Sequence, residues 1–239
     1  MKKILLASVA LSMTAGFAMA EAHGKTIRMG TEGAYPPYNF INDAGEVDGF
    51  ERELGDELCK RAELTCEWVT NDWDSIIPNL TSGNYDAIIA GMSITEERAE
   101  IVDFTQGYTQ PSPSAYAAVA EGVDVDSAVV SAQSSTIQAA HVASTGATLV
   151  EFPTPDETVA AVKSGEVDAV LSDKDYLNPI VAEGGLVFIG DVYLGGGIGM
   201  AFRKSDADLR GKFDAAIASM KADGSLNALL DKWEIEGKF

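Results

Sequence analysis

IIPNLTSGNYDAIIAGM, residues 76–92, holds a helical run closed by Ser-Gly, a polar pair, then Asp-Ala and an apolar strand that runs into a polar loop. The same order of parts returns as TVAAVKSGEVDAVLSD, residues 158–173. Glycine just past a helical run is a stop signal, and the short β-branched run behind it reads as a strand. Outward from the first copy the chain reads TIRMGTE, GFERELGDELCKRAE, LTCEWV, WDSIIPNLTSG and YDAIIAGM; around the second it reads DSAVVSA, STIQAAHVAST, ATLVEF, DETVAAVKSGE and VDAVLSD. Strands that alternate with helices predict an α/β fold whose sheets are mainly parallel with helices on both faces. The rhyme points to two similar lobes, although α/β units share this grammar without any duplication. In the first helix Phe50, Leu54, Leu58 and Arg61 fall on one face, so Glu51, Glu53, Asp56 and Glu57 are expected on the wet one.

Two stretches lie between the lobes. YTQPSPSAYAAV carries Pro111 and Pro113, which make it an edge or a crossing strand, and VYLGGGIGMAFRK carries Gly195, Gly196, Gly197 and Gly199, which permit large backbone rotations. Paired crossings of this kind predict a hinge. The expected organisation is a leader at 1–20, a first lobe at 25–110, a second at 111–196, and a return to the first at 197–239. The tail SDADLRGKFDAAIASMKADGSLNALLDKWE reads as two helices broken at Gly224 and packed on the first lobe.

Lys2 and Lys3, an apolar run from Ile4 and the ending Ala18-Met19-Ala20 form a secretory signal peptide, with cleavage expected after Ala20. The run contains Ser, Thr and Gly and falls short of the roughly 20 apolar residues of a spanning helix. No cysteine follows it to carry a lipid. The mature protein is expected to be soluble and periplasmic, with about 220 residues, enough for two lobes that each bury a core. The net charge of −20 becomes −22 when a leader with two lysines and no acids is removed. That balance disfavours nucleic acid and anionic membrane surfaces as partners. Cys59 and Cys66, the only cysteines, read in an exported chain as a local disulfide, with a buried free thiol pair as the alternative; a metal would need more ligands than their neighbourhood offers.

The chemistry available is limited. Beyond the leader there are two histidines, His23 and His141, and there is no Ser-His-Asp set, metal-ligand cluster, phosphate loop or dinucleotide fingerprint. No catalytic residue, metal or cofactor is expected. Open α/β sheets place ligands at strand C-termini, and there the chain is informative. Glu32 and Tyr35 follow the first strand, Trp73 opens a helix, and Ala90-Gly91-Met92-Ser93 ends the third strand. Ser93 and Glu96 have the spacing of a capping box at a helix start. Arg98, just inside that helix, can grip a carboxylate with two hydrogen bonds; the plain alternative is a surface pair with Glu97 or a neighbouring carboxylate. Ser134-Ser135-Thr136 opens another helix, and Asp173 ends VDAVLSD, where it can cap the next helix, face a ligand, or do both.

GTEGAYPPYNF, GFERELGDELCKRAELTC, WDSIIPNLTSGNYDAIIAGMSITEERAEIVDFT and SGEVDAVLSD together resemble the periplasmic amino-acid-binding proteins of ABC transporters, solute-binding protein family 3, from about residue 26 to the C-terminus. In motif the chain is most similar to the arginine/lysine/ornithine-type binders. The resemblance implies a two-lobed periplasmic-binding-protein fold of type II that closes on a free amino acid and delivers it to the permease subunits of an importer. It implies a monomer without enzymatic activity. It assigns Arg98 to the ligand α-carboxylate with Ser93 and Thr136, and Asp173 to the α-ammonium with the Ala90 or Gly91 carbonyl. Tyr35 and Trp73 become aromatic walls, Met92 completes an Ala-Gly-Met loop like that of arginine-type binders, and Cys59–Cys66 matches a disulfide spacing of basic-amino-acid binders. Two departures stand out: Ser134 replaces a usual glycine, and Ala90-Gly91 replaces a serine pair of lysine- and histidine-type binders. Glu32 beside two rings favours arginine, then ornithine or lysine, then histidine, glutamine or an opine. The rival readings are a cyclohexadienyl-dehydratase-like enzyme on the same clamp and a sensor that works with a separate receptor.

Overall fold

The computed structural model describes residues 26–239. The expected signal peptide, its expected cleavage point and His23 lie outside the described residues. β1 (Ile27–Thr31) leads into a small meander, β2 (Ala34–Tyr35), β3 (Asn39–Ile41) and β4 (Val47–Asp48), then α1 (Phe50–Arg61) and β5 (Cys66–Thr70). A 3-10 turn at Trp73–Ser75 enters α2 (Ile76–Thr81), followed by β6 (Ala87–Ile88), α3 (Glu96–Ile101) and β7 (Asp103–Phe104). Next come β8 (Pro113–Ala118), β9 (Val129–Gln133), α4 (Ile137–Ala143), β10 (Thr148–Phe152), α5 (Pro155–Ser164), β11 (Ala169–Asp173), α6 (Lys174–Ala182) and β12 (Val187–Tyr193). The chain returns through β13 (Ala201–Phe202) to α7 (Ala207–Asp223) and α8 (Ser225–Lys232).

Two five-stranded sheets result, ordered β5-β1-β6-β13-β7 and β10-β9-β11-β8-β12, one to each lobe. β1 runs parallel to β5 and β6, and β9 to β10 and β11, as helical crossovers require. β13 and β8 run antiparallel to both of their neighbours, so each sheet is mixed. These two strands are entered from the other lobe rather than through a helix, which frees their direction. β8 begins at Pro113 yet lies between β11 and β12, so the edge reading of this proline segment is corrected. The missing N–H is tolerated because it falls on the first residue of the strand.

The rhyme between the two decisive stretches has a shared local cause. The Asp86 N–H donates to the Arg28 carbonyl and its carboxylate accepts the Arg28 N–H; Asp168 makes the same exchange with Val129. In each lobe the aspartate before a strand satisfies the first free amide of the neighbouring parallel strand. Asp86 is buried and carries two arginines besides, Arg28 and Arg203.

Phe50, Leu54 and Leu58 of α1 are buried, as their spacing predicts. Glu51 is not on the wet face: it is 0 % exposed. It sits in the first turn of α1, where the helix end meets two loops, and hydrogen bonds from those loops replace its water. The tail packs on the first lobe. α7 stops at Gly224, which adopts the left-handed φ of 78° that glycine tolerates, and Arg61 of α1 holds Asp223, Ser219 and Ser225. Cys59 and Cys66 are joined, tying the last turn of α1 to the start of β5.

Candidate functional site

The C-terminal ends of β1, β6, β9 and β11 converge on one cavity between the lobes, part of it open to solvent. Its walls include Glu32, Tyr35, Trp73, Ala90, Gly91 and Ser93 from the first lobe, and Thr136 and Asp173 from the second. Arg98 lines it as well. All ten predicted ligand residues but one therefore meet in a single place. The exception is Met92, whose side chain is buried in the first-lobe core with Ile76, Leu80 and Ala90.

The helix after this loop is capped differently from the reading of Ser93. Thr95 is the N-cap of α3, its hydroxyl accepting the Arg98 N–H, while Ser93 pairs with Ile198 of the return crossing. Arg98 projects from the first turn of α3. Its Nη1 donates to the Ser93 carbonyl at 2.9 Å and its Nη2 to the Ser135 carbonyl of the other lobe at 3.3 Å. Its guanidinium lies 5.4 Å from the centre of the Trp73 ring. Among the described residues no carboxylate is within ion-pairing distance of Arg98, which removes the surface-pair reading with Glu97. Desolvation by the cleft walls pulls the guanidinium down to about 10, with Asp173 opposing that fall.

Asp173 stands at the start of α6 without a side-chain capping bond, so the capping alternative drops out. Tyr35 Oη donates to Oδ2 at 2.8 Å; Gln138 Nε2 and Ser114 Oγ donate to Oδ1 at 2.8 and 3.3 Å. A carboxylate has about four lone-pair sites, so one more donor can be taken. Burial, and secondarily the nearby Asp175 charge, push this carboxyl up to about 6, against those hydrogen bonds. Glu32 receives Gln133 Nε2 from across the cleft at 2.6 Å. Burial raises it to about 7, assisted by Asp72, Asp74 and Glu51 and opposed by the Gln133 bond.

Tyr35 and Trp73 are each 8 % exposed. The Tyr35 ring stacks on Tyr176 of α6 at 4.7 Å, and Trp73 Nε1 donates to the Ser135 carbonyl. Thr136 caps α4 by accepting the Ala139 N–H. At the substituted glycine position, Ser134 Oγ donates to both oxygens of Asp74 in the first lobe. The left-handed residue is its neighbour Ser135, at φ 58°. With Tyr38 Oη donating to Asp175, these bonds hold the lobes closed on each other.

Gln133, Gln138, Ser114 and Ser172 were missed by the sequence reading. Gln133 ends β9, so the strand-end rule that found Glu32 reaches it too. Gln138 and Ser114 have no such signal; they come close to Asp173 only through packing of α4 and β8.

Residues 27–236 match the model of the bacterial extracellular solute-binding proteins, family 3. The chain belongs to that family. This family 3 protein is 31 % identical over 254 residues to the L-arginine-binding protein of Pseudomonas aeruginosa, spanning 98 % of this chain and 96 % of that one. A periplasmic His/Glu/Gln/Arg/opine family-binding protein from Silicibacter pomeroyi, solved in complex with lysine, is 71 % identical with a TM-score of 0.86, covering 87 % of this chain and 96 % of that one. An ancestral arginine-binding protein bound to arginine is 32 % identical with a TM-score of 0.82, covering 88 % and 99 %.

Proposed function

We propose that this solute-binding protein captures a basic L-amino acid, lysine, arginine or ornithine, in the cleft and hands it to the permease of an ABC importer. The observation that carries the reading is one cavity that holds, among the described residues, an arginine with no carboxylate in ion-pairing distance together with two carboxylates, Asp173 and Glu32. A zwitterion with a cationic tail needs that charge pattern: Arg98 for the α-carboxylate, Asp173 for the α-ammonium and Glu32 for the side chain. Ser93 and Thr136 assist at the carboxylate, the Ala90 or Gly91 carbonyl at the ammonium, and Tyr35 and Trp73 flank the aliphatic stem. The similar proteins solved with lysine and with arginine support the same ligand class.

Binding and release work by closure. Segments 25–110 and 197–239 form one lobe, 111–196 the other, and the two crossings between them form the hinge. A ligand gripped from both sides favours the closed arrangement. The protein is exported, its leader cleaved after Ala20, and acts as a monomer without chemistry of its own. Calorimetric titration of the mature protein with L-arginine, L-lysine, L-glutamine and L-glutamate tests the reading. Tight binding of the first two and weaker binding of the others is expected; tighter binding of glutamine or glutamate refutes the cation pocket.

A further inference from the structure

Glu51 is a buried carboxylate that the ligand contacts do not use. Three donors converge on it: Gly91 N–H on Oε1 at 2.6 Å, Tyr108 Oη on the same oxygen, and Asn39 Nδ2 on Oε2 at 2.7 Å. Asn39 Oδ1 in turn accepts the Gly33 N–H at 2.7 Å. Gly33 follows Glu32, and Gly91 lies between Ala90 and Met92. One side chain in the first turn of α1 thus ties together the loop after β1 and the loop after β6, both of which line the cavity, and Tyr108 in the segment that leads to β8.

We infer that Glu51 is a positioning residue that aims the Ala90 carbonyl at the ligand ammonium. The Ala90–Gly91 peptide is a planar trans unit, so its N–H and C=O point in opposite directions. The Gly91 N–H is drawn inward to Glu51, which sends the Ala90 carbonyl toward the cavity that Ala90 and Gly91 line. Gly91 has φ 61°, a conformation open to glycine, and in it the Gly91 N–H reaches Glu51. A carboxylate suits the place because it accepts only, and every group around it donates. Glutamine would turn an N–H against one of the three donors or force the Asn39 amide over, which strands the Gly33 N–H. Either change leaves a buried donor unpaired and loosens one of the two cavity loops.

The inference rests on the amino-acid reading of the cleft. It is tested by calorimetry with L-lysine and L-arginine on four proteins, with thermal unfolding of each. Glu51→Gln should weaken both ligands by about 10- to 100-fold, the cost of one mispaired buried donor. The exchange Asn39→Asp/Glu51→Gln restores every bond: the relocated carboxylate accepts from Gly33 and from the new amide, whose oxygen accepts from Gly91 and Tyr108. Its affinity should return to within about threefold of wild type, by the same arithmetic. Tyr108→Phe removes one donor but leaves Gly91 on Glu51, so it should lower the melting temperature and keep affinity within about threefold. Undiminished binding by Glu51→Gln, affinity that merely tracks stability across the three variants, or a folded exchange variant that stays about tenfold weak overturns the inference. If Glu51→Gln does not fold, the exchange and Tyr108→Phe variants decide alone. A wild-type protein that binds neither ligand refutes the amino-acid reading instead.

Discussion

Replacing Arg98 by alanine should separate binding from folding. In the structure the guanidinium holds two backbone carbonyls, Ser93 in one lobe and Ser135 in the other, and lies over Trp73. Those contacts stabilise the closed arrangement, each bond by about 1 kcal/mol net and the ring contact by about 0.5–2 kcal/mol. Against them stands the desolvation that lowers the Arg98 guanidinium to about 10. No ion-paired carboxylate is stranded when it goes; Asp173 loses only the weaker, longer-range attraction of the guanidinium and keeps its three hydrogen bonds, so the protein without amino acid should lose little stability. With a ligand bound the balance differs. The α-carboxylate would be enclosed between the lobes without a cation, and breaking such a pair costs about 3–5 kcal/mol, two to three and a half decades in affinity. Calorimetry with L-lysine and L-arginine on Arg98→Ala, beside thermal unfolding without ligand, measures both quantities. A dissociation constant within about threefold of wild type would refute the assignment of Arg98 to the ligand carboxylate, and a collapse of the ligand-free melting temperature would show a structural role in its place.

Glu32→Gln should weaken a cationic ligand by about 1–3 kcal/mol while barely changing a neutral one, because only the charge-assisted part of the contact is lost; equal losses for lysine and glutamine in parallel titrations would refute it. Acidification should act on binding and stability in opposite directions. Glu32 at about 7 and Asp173 at about 6 sit above their unfolded values, so they favour the folded state in full below about pH 4 and lose that contribution as pH rises through 6 to 7. Lysine affinity, which needs both groups ionised, should fall from pH 8 to pH 5, whereas these two groups should make the ligand-free protein more resistant to denaturant over that interval. Calorimetry and urea titrations at each pH check the pair. Removing the Cys59–Cys66 bridge by a double alanine substitution should cost about 2–3 kcal/mol from the short loop it closes, read as a lower urea midpoint with binding retained.

The amino-acid sequence determined the alternation of elements, because amphipathic periodicity and Ser-Gly stops are local properties of the chain. It also determined most of the lining of the candidate site, because α/β sheets leave their clefts at strand ends, and Glu32, Ala90, Gly91 and Asp173 can be counted off those ends. Thr136 was legible as a helix start for the same local reason. The tertiary structure alone decided which serine or threonine caps α3: Ser93 and Thr95 both have suitable hydroxyls, and the pairing of Ser93 with Ile198 leaves the cap to Thr95. It decided that Met92 turns into the core while its neighbours line the cavity. It placed Gln138 and Ser114 on Asp173 across separations of 35 and 59 residues, which no local pattern encodes. Glu51 is the clearest case. By helical spacing it belongs among the solvated acids of α1, and only the convergence of Gly91, Tyr108 and Asn39 from three other parts of the chain makes its burial tolerable. Charge next to water needs no partner, so a sequence reading defaults to the surface; a buried carboxylate needs donors, and their positions are set by the fold.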